Sequence, residues 1–409
     1  MPITSSEETS EISFKDNAVD AFARLRMSEP ETIFDSKQIS DNQPLFWDDQ
    51  QVSGSGTSST YNTNQASTTL SVGNLTAGKR VKQTYRRFNY QPGKSMLINK
   101  TFKLETRKIG IRIKDGYFDD KNGLFFYTHP DSYGFGVRTF TSGSAFDNLI
   151  PQADWNIDKL NGLGSSGVDI TQYKKALFFI DFEWLGVGII AFGFFFNRRP
   201  VYCHFYDTTK VDDLVTMSVP NLPCRTEIEN DGTGVTASTT QICATVISEG
   251  GLKDTGYGFG ISRGVAPLVT LNNTSIYPLF AIRLNSNYLH STIKLLNFNV
   301  NCTSTATYNW YLLLNPTVTG TALSFTQVAN TAIDAQINTT NATTVSGGTI
   351  LLTGTASQTN ESGINIVNAT DFAMGSSIAG VADIVVLAVQ RATGTTETFY
   401  GSLNWREQQ

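Results

Sequence analysis

The stretch Phe178–Phe196, "FFIDFEWLGVGIIAFGFFF", decides the fold. In its first half Phe178, Ile180, Phe182 and Trp184 share one parity, while Asp181 and Glu183 share the other. A period of two is the pattern of a β-strand, whose successive side chains point to opposite faces. Such a strand buries the four apolar residues and turns the two acids outward. The second half, "IIAFGFFF", is apolar almost throughout, as in a strand covered on both sides. Leu185–Phe196 is too short to span a bilayer, which takes about 20 residues. "NRRP" (Asn197–Pro200) then turns the chain into "VYCHFYD", a third strand.

Working outward, the same grammar repeats. In "KIGIRIKDGYF", Ile109, Ile111 and Ile113 alternate with Gly110, Arg112 and Lys114, and Asp115-Gly116 reads as a turn. "GLFFYTHPDSYGFGVRTF" reads as two short strands around a Pro/Asp/Ser turn. No amphipathic helix stands between residues 80 and 260, which argues against a βαβ architecture. A polar stretch at Lys253–Gly264, "KDTGYGFGISRG", marks a boundary. Beyond it "YPLFAIRLN", "STIKLLNFNVN", "TYNWYLLLN", "GGTILLTG" and "VADIVVLAVQ" are strands again, with no Lys or Arg between Lys294 and Arg391. A charged fraction of 16% also favours an all-β chain. The expected architecture is all-β: two jelly-roll-like β-sandwich domains, residues 76–262 and 263–409, behind an N-terminal arm.

That arm, residues 1–75, holds one short helical candidate, "NAVDAFARLR" (Asn17–Arg26), which Pro30 keeps from extending. "SGSGTSSTYNTNQASTT" reads as a flexible Gly/Ser/Thr linker. Bulky residues are strung along the segment, and Phe22, Leu25, Phe34, Phe46 and Trp47 read as anchors. With too little apolar area to fold alone, the arm is expected to lie extended across a partner subunit. The alternative is an arm folded back on its own domain.

The chemical motifs are few. Four cysteines, Cys203, Cys224, Cys243 and Cys302, stand far apart and there are only three histidines. That is neither a disulfide framework nor a zinc site, Cys203-His204 included, so reduced buried thiols are expected. No cofactor and no metal is expected. "GVGIIA" (Gly186–Ala191) has the letters of a dinucleotide turn, but "FGFFFNRRP" follows instead of a helix, so the glycines read as a bulge or bend. "FIDFE" is similar to the last four letters of the E-I-D-F-E strand of family-16 β-glucanases. The nucleophile's place is taken by Phe179. Asp181 and Glu183, about 6.6–6.8 Å apart by strand rise, do not match the ~5–5.5 Å of a retaining pair. No enzymatic activity is expected.

The third motif is basic. Between Lys79 and Lys114 stand twelve Lys or Arg residues and one acid, Glu105, interleaved with Tyr85, Phe88 and Tyr90. Phosphates or stacked bases would suit such a stripe. Without a recognised nucleic-acid module the stripe, and Arg80, Lys82, Arg86 and Arg87 in particular, reads instead as a protein contact. Neither nucleic acid nor membrane is an expected partner.

Six blocks, "AFARLRMSEPETIFDSK", "RRFNYQPGKS", "QADWNIDKLNG", "FIDFEWLGVG", "FGFFFNRRPVYCHFY" and "PNLPCRTEIEN", together resemble a family of virion structural proteins of tailed phages. The likeness covers roughly residues 18–265. It implies a non-enzymatic minor capsid, decoration, fibre or tail-associated component, assembled in the host cytoplasm and found in the virion. Its partners would be other virion proteins and its own copies, with a homotrimer as the expected order and another closed ring as the alternative. The second reading is a carbohydrate-binding adhesin that presents Trp, Tyr and Asn to a host surface glycan. A divergent glycanase comes third.

Overall fold

The computed structural model describes residues 28–408, apart from 185–186, 212–214, 264–268, 272–273, 303–305, 338–340, 358–361, 366–371 and 395–396. The helical candidate Asn17–Arg26, with Phe22 and Leu25, lies outside the described residues.

The expected all-β architecture holds, as two sandwiches joined side by side. The first is built from β1 Glu31–Ser36, β2 Trp47–Gly54, β3 Thr57–Asn62, β4 Ser67–Val72, β5 Gly78–Thr84, β6 Met96–Lys103, β7 Ile111–Phe118, β8 Gly123–Thr128, β9 Tyr133–Thr139, β10 Phe146–Pro151, β11 Lys175–Phe182, β12 Ile189–Phe196, β13 Arg199–Asp207, β14 Cys224–Asn230 and β15 Ala237–Ser248. One sheet runs β13-β12-β11-β6-β15-β4-β3, with β1 also on β15; the other runs β10-β9-β8-β7-β14-β5-β2. The second sandwich sets Tyr257–Arg263, Glu397–Gln408, Thr292–Cys302 and Ser362–Asn365 against a sheet centred on Ile276–Leu284, Ile384–Arg391 and Thr307–Leu314. Among the described residues no helix is long and apolar enough to cross a membrane.

Two expected boundaries are corrected. Residues 31–72 are not an extended arm: they form four strands of the first sandwich. The Ser/Thr tract is a hairpin, β3 on β4, and β4 pairs in turn with β15. Apolar area alone understated what orders it. Backbone ladders satisfy the segment's polar groups, β-branched Thr suits the pleated surface, and Leu70 and Val72 reach a buried cluster with Ile111, Ile113 and Ile228. The second boundary moves N-terminal of residue 262, because Tyr257–Arg263 pairs with Glu397–Gln408 of the second sandwich.

The interior of the first sandwich is layered. An aromatic core gathers Phe102, Phe126, Phe135, Trp155, Phe178, Phe192 and Phe194, with ring centroids as close as 4.3 Å for Phe135–Trp155. The aliphatic cluster of Leu70 and Ile113 lies at the other end. Along β7, β14 and β15 the residues between the two clusters are polar: Asp115, Thr226 and Gln241, all buried. There Lys100 Nζ donates to Thr226 Oγ1 and the Arg225 carbonyl, both at 2.7 Å, and stands 3.2 Å from Asp115 Oδ1. Lys82, fully buried, donates to Thr68 Oγ1 at 2.8 Å and to Gln38 Oε1 and the Asn42 carbonyl at 3.3 Å. Bonding of this kind is what lets Lys100, Asp115 and Thr226 be buried, whereas the Gln241 amide finds no partner among the described residues.

The two sandwiches touch through direct bonds. Asp48 accepts from Ile378 N at 2.7 Å, the Tyr85 carbonyl accepts from Ser376 N at 3.0 Å, and Arg87 Nη1 donates to Ser376 Oγ at 2.7 Å. Gly375 permits the approach, since a Cβ there would stand 2.5 Å from the Tyr85 backbone.

Candidate functional site

The opening stretch forms the antiparallel hairpin β11–β12, with Phe178 opposite Phe194 and Phe182 opposite Ile190. Phe178, Ile180 and Phe182 are buried in the aromatic core, and Trp184 packs against it while its Nε1 donates to the Met217 carbonyl at 2.8 Å. Parity therefore predicted the inner face correctly. The outer face is where chemistry can act.

On that face Phe179 pairs with Gly193 and Asp181 with Ala191; beyond them, β13 sets Tyr202 against Gly193 and Phe205 against Ala191. Tyr202 and Phe205 are three residues apart and would point oppositely in a regular strand. A register shift between Phe192 and Gly193, a β-bulge, brings them to one face. Their rings are 5.5 Å apart, and Phe179 lies 5.2 Å from both Tyr202 and Phe195. Gly193 makes room: a Cβ there would stand 2.4 Å from the Phe179 ring and from the Val201 carbonyl oxygen. Phe179 is buried in this cluster, while Tyr202 is 39% exposed.

Beside the rings stands an acidic group. Asp181 is half-buried, and among the described residues no donor or cation is bonded to its carboxyl. Burial, then the charges of Glu249 and Glu183, push its pKa up to about 6. Glu249 accepts from Ser95 Oγ at 2.6 Å, and Glu183 is exposed. Next to Phe179, on β6, Asn99 buries its Oδ1 with no donor among the described residues. The face thus joins aromatic rings to under-bonded acceptors. Rings take the apolar face of a ligand, and carboxylates and amide oxygens take its hydroxyl protons.

The other expected site residues are used inside the chain. Of the anchors, Phe34 packs 5.0 Å from Phe88, 5.9 Å from Phe46 and 6.1 Å from Trp47, and Trp47 is buried with its Nε1 donating to Ser36 Oγ at 2.9 Å. They hold residues 31–47 to their own sandwich, which corrects the reading of Phe34 and Trp47 as contacts to a partner. The basic stripe is corrected likewise. Arg80 Nε meets Asp49 Oδ1 at 2.6 Å, Lys82 is enclosed in the polar layer, Arg86 donates to the Ile33 carbonyl at 3.2 Å, and Arg87 faces Asp119 and Ser376. Lys79, Lys103 and Lys114 pair with Glu227, Glu105 and Asp147 at 3.1, 2.8 and 2.7 Å. The acids that neutralise the stripe come mostly from distant strands, so a window over the stripe alone does not show them.

Cys203, Cys224 and Cys302 are buried and Cys243 is partly exposed, and no disulfide joins any of the four. Cys203 and His204 sit in β13 with their pKa values pushed up and down respectively, burial being the main cause in each case. Sequence reading missed Tyr202, Phe205 and Glu249, because a bulge and a cross-strand register, not spacing, bring them to Asp181. It also missed a groove of about 660 Å³ between the sandwiches, lined by Phe34, Ile39, Leu45, Phe46, Phe372 and Asp383 among others.

No family model matches the chain, and no curated protein matches it. Among solved structures it is similar to the carbohydrate recognition domain of Emp47p, at 10% identity over 54% of this chain and 97% of that one, with a TM-score of 0.33. The legume lectin-like domain from Entamoeba histolytica is 9% identical over 52% of this chain and 96% of that one, at 0.31. The CBM2 module of the evolved Dit of Lactobacillus casei BL23 phage J-1 is 8% identical over 54% and 97%, at 0.33. Likenesses this distant carry no argument about the ligand of this chain.

Proposed function

We propose that the protein is a non-enzymatic carbohydrate-binding module whose first sandwich takes sugar on the outer face of β11, β12 and β13. One observation carries the reading: a half-buried carboxyl, Asp181, set without a cation beside the Phe179–Tyr202–Phe205 ring cluster. A carboxyl in such surroundings is a cost to folding, and sites that are costly to folding and lie beside exposed aromatic groups are where binding is expected. A sugar presents both halves of the match, hydroxyl donors for Asp181 and Glu183 and a C–H face for Tyr202. Phe179 fills the place of a glucanase nucleophile, which supports binding without turnover.

The sequence blocks that resemble phage structural proteins support a second, compatible proposal, carriage of the module on a virus particle. Homo-oligomerisation, as a trimer, belongs to that proposal.

Purified protein is to be screened against a glycan array, with Tyr202→Ala and Asp181→Asn alongside. The expected result is binding to a defined set of glycans, weakened at least tenfold by each substitution, and no release of reducing ends. No glycan bound, or equal binding by both variants, would refute the assignment. Hydrolysis abolished by Asp181→Asn would replace it with catalysis.

A further inference from the structure

We propose that the sugar held on the outer face of β11, β12 and β13 is an amino sugar with free, unacetylated amines, whose ammonium groups lie against Asp181, Glu183 and Glu249. The inference rests on the carbohydrate reading above and adds the charge and chemical class of the ligand.

Charge complementarity leads there. Among the described residues Asp181, Glu183 and Glu249 form no ion pair, and Ser95 Oγ, on Glu249 at 2.6 Å, is the one side chain bonded to them. Burial, then the charges of Glu249 and Glu183, raise the Asp181 pKa. Burial, then Asp181 and Glu249, raise that of Tyr202. The acids and the ring thus lie within one another's fields, and no cation among the described residues counters them. A sugar hydroxyl donates to a carboxylate but leaves its charge in place, and a neutral ligand that covers the face also removes water from it. An ammonium group supplies the opposite charge and three donors to groups that only accept. An acidic sugar would set like charges together, which disfavours it. Among the described residues no group of three acids, histidines or cysteines is placed to hold a metal ion, so the opposing charge falls to the ligand.

The setting of the acids fits a sugar. A Cβ on Gly188 would stand 3.5 Å from Glu183 Oε2, so this carboxyl lies by Gly188, between Val187 and Ile189, which are 63% and 50% exposed. Ile189 and Ala191 are alternate residues of β12, and Ala191 pairs with Asp181. Apolar side chains therefore run along the hairpin from Ile189 past Ala191 to Tyr202 with the acids beside them, as a ligand of C–H faces and amines requires. The basic residues of these strands stand at the other end. Lys175 begins β11, about 20 Å from Asp181 by strand rise, and Arg198 and Arg199 lie at the β12–β13 turn.

The test is calorimetric titration of the full chain near pH 6.5 with β-1,4-linked tetramers of glucosamine, N-acetylglucosamine and glucose, alike in linkage and ring shape. The glucosamine tetramer is expected to bind at least tenfold more tightly than the other two. Glu183→Gln and Glu249→Gln are each expected to cut that preference at least threefold. Asp131→Asn, at an exposed position in the β8–β9 turn of the other sheet, is expected to leave it unchanged. Equal affinities, or tighter binding of a neutral or N-acetylated sugar here or on the glycan array, would overturn the amino-sugar assignment and leave the face a sugar site. An equal loss from Asp131→Asn would mean attraction to net negative charge alone and would overturn it too. Failure to bind any sugar would overturn both readings.

Discussion

Asp181 ties stability to function. Its carboxyl holds a proton to about pH 6 in the folded chain and to about pH 3.9 in the unfolded one. Between those values the folded state binds the extra proton, so stability falls as pH rises, and the whole penalty stands above about pH 6. Partial exposure screens much of it, leaving about 1 kcal/mol. Asp181→Asn is therefore expected to stabilise the protein by about 1 kcal/mol near pH 8 and by nothing near pH 3.5, read from urea midpoints at the two pH values. A loss of stability near pH 8 would mean that the carboxylate has a favourable partner. The acids on the outer face could be read from parity alone. That Asp181 is half-buried and feels the charge of Glu249, which lies far along the chain, could not.

At the scale of elements, the hairpin β3–β4 shows where composition misleads. "SGSGTSSTYNTNQASTT" has the makeup of a linker, yet its strands pair residue by residue from Thr57↔Val72 to Asn62↔Ser67. Leu70 at its end is fully buried. Leu70→Ala is expected to cost about 2–5 kcal/mol of unfolding free energy, as for a buried large-to-small change; a linker residue would cost almost nothing. Denaturant unfolding of the single variant separates the two. A strand whose outward side chains are Ser and Thr looks like a loop until a neighbouring edge is present to pair with it, and β15 lies more than 150 residues downstream. The bulge between β12 and β13 is a similar case, since only their register tells which residues it brings together.

For the whole molecule, the contact between the sandwiches fixes the groove. A Cβ on Gly375 would meet the Tyr85 carbonyl carbon and oxygen at 2.5 Å and the Tyr85 Cβ at 2.9 Å, none of them the far end of a flexible side chain. Gly375→Val is thus expected to part the sandwiches, so that calorimetry shows two transitions where the parent shows more tightly coupled unfolding, and small-angle scattering shows a larger radius of gyration. Unchanged scattering and calorimetry would mean that the contact has no part in holding the sandwiches together. By itself the sequence determined the all-β class, the presence of two domains and the inner face of β11, because strand parity and turn residues act over a few neighbouring positions. Tertiary structure alone decided that residues 31–72 belong to the first sandwich, that much of the basic stripe is bonded internally to acids, carbonyls and hydroxyls, and that Tyr202, Phe205 and Asp181 share a face. The physical reason is common to all three. Each depends on which strand edges meet, and the energy of an edge pairing or a buried ion pair comes from a partner remote in sequence, invisible to any local pattern.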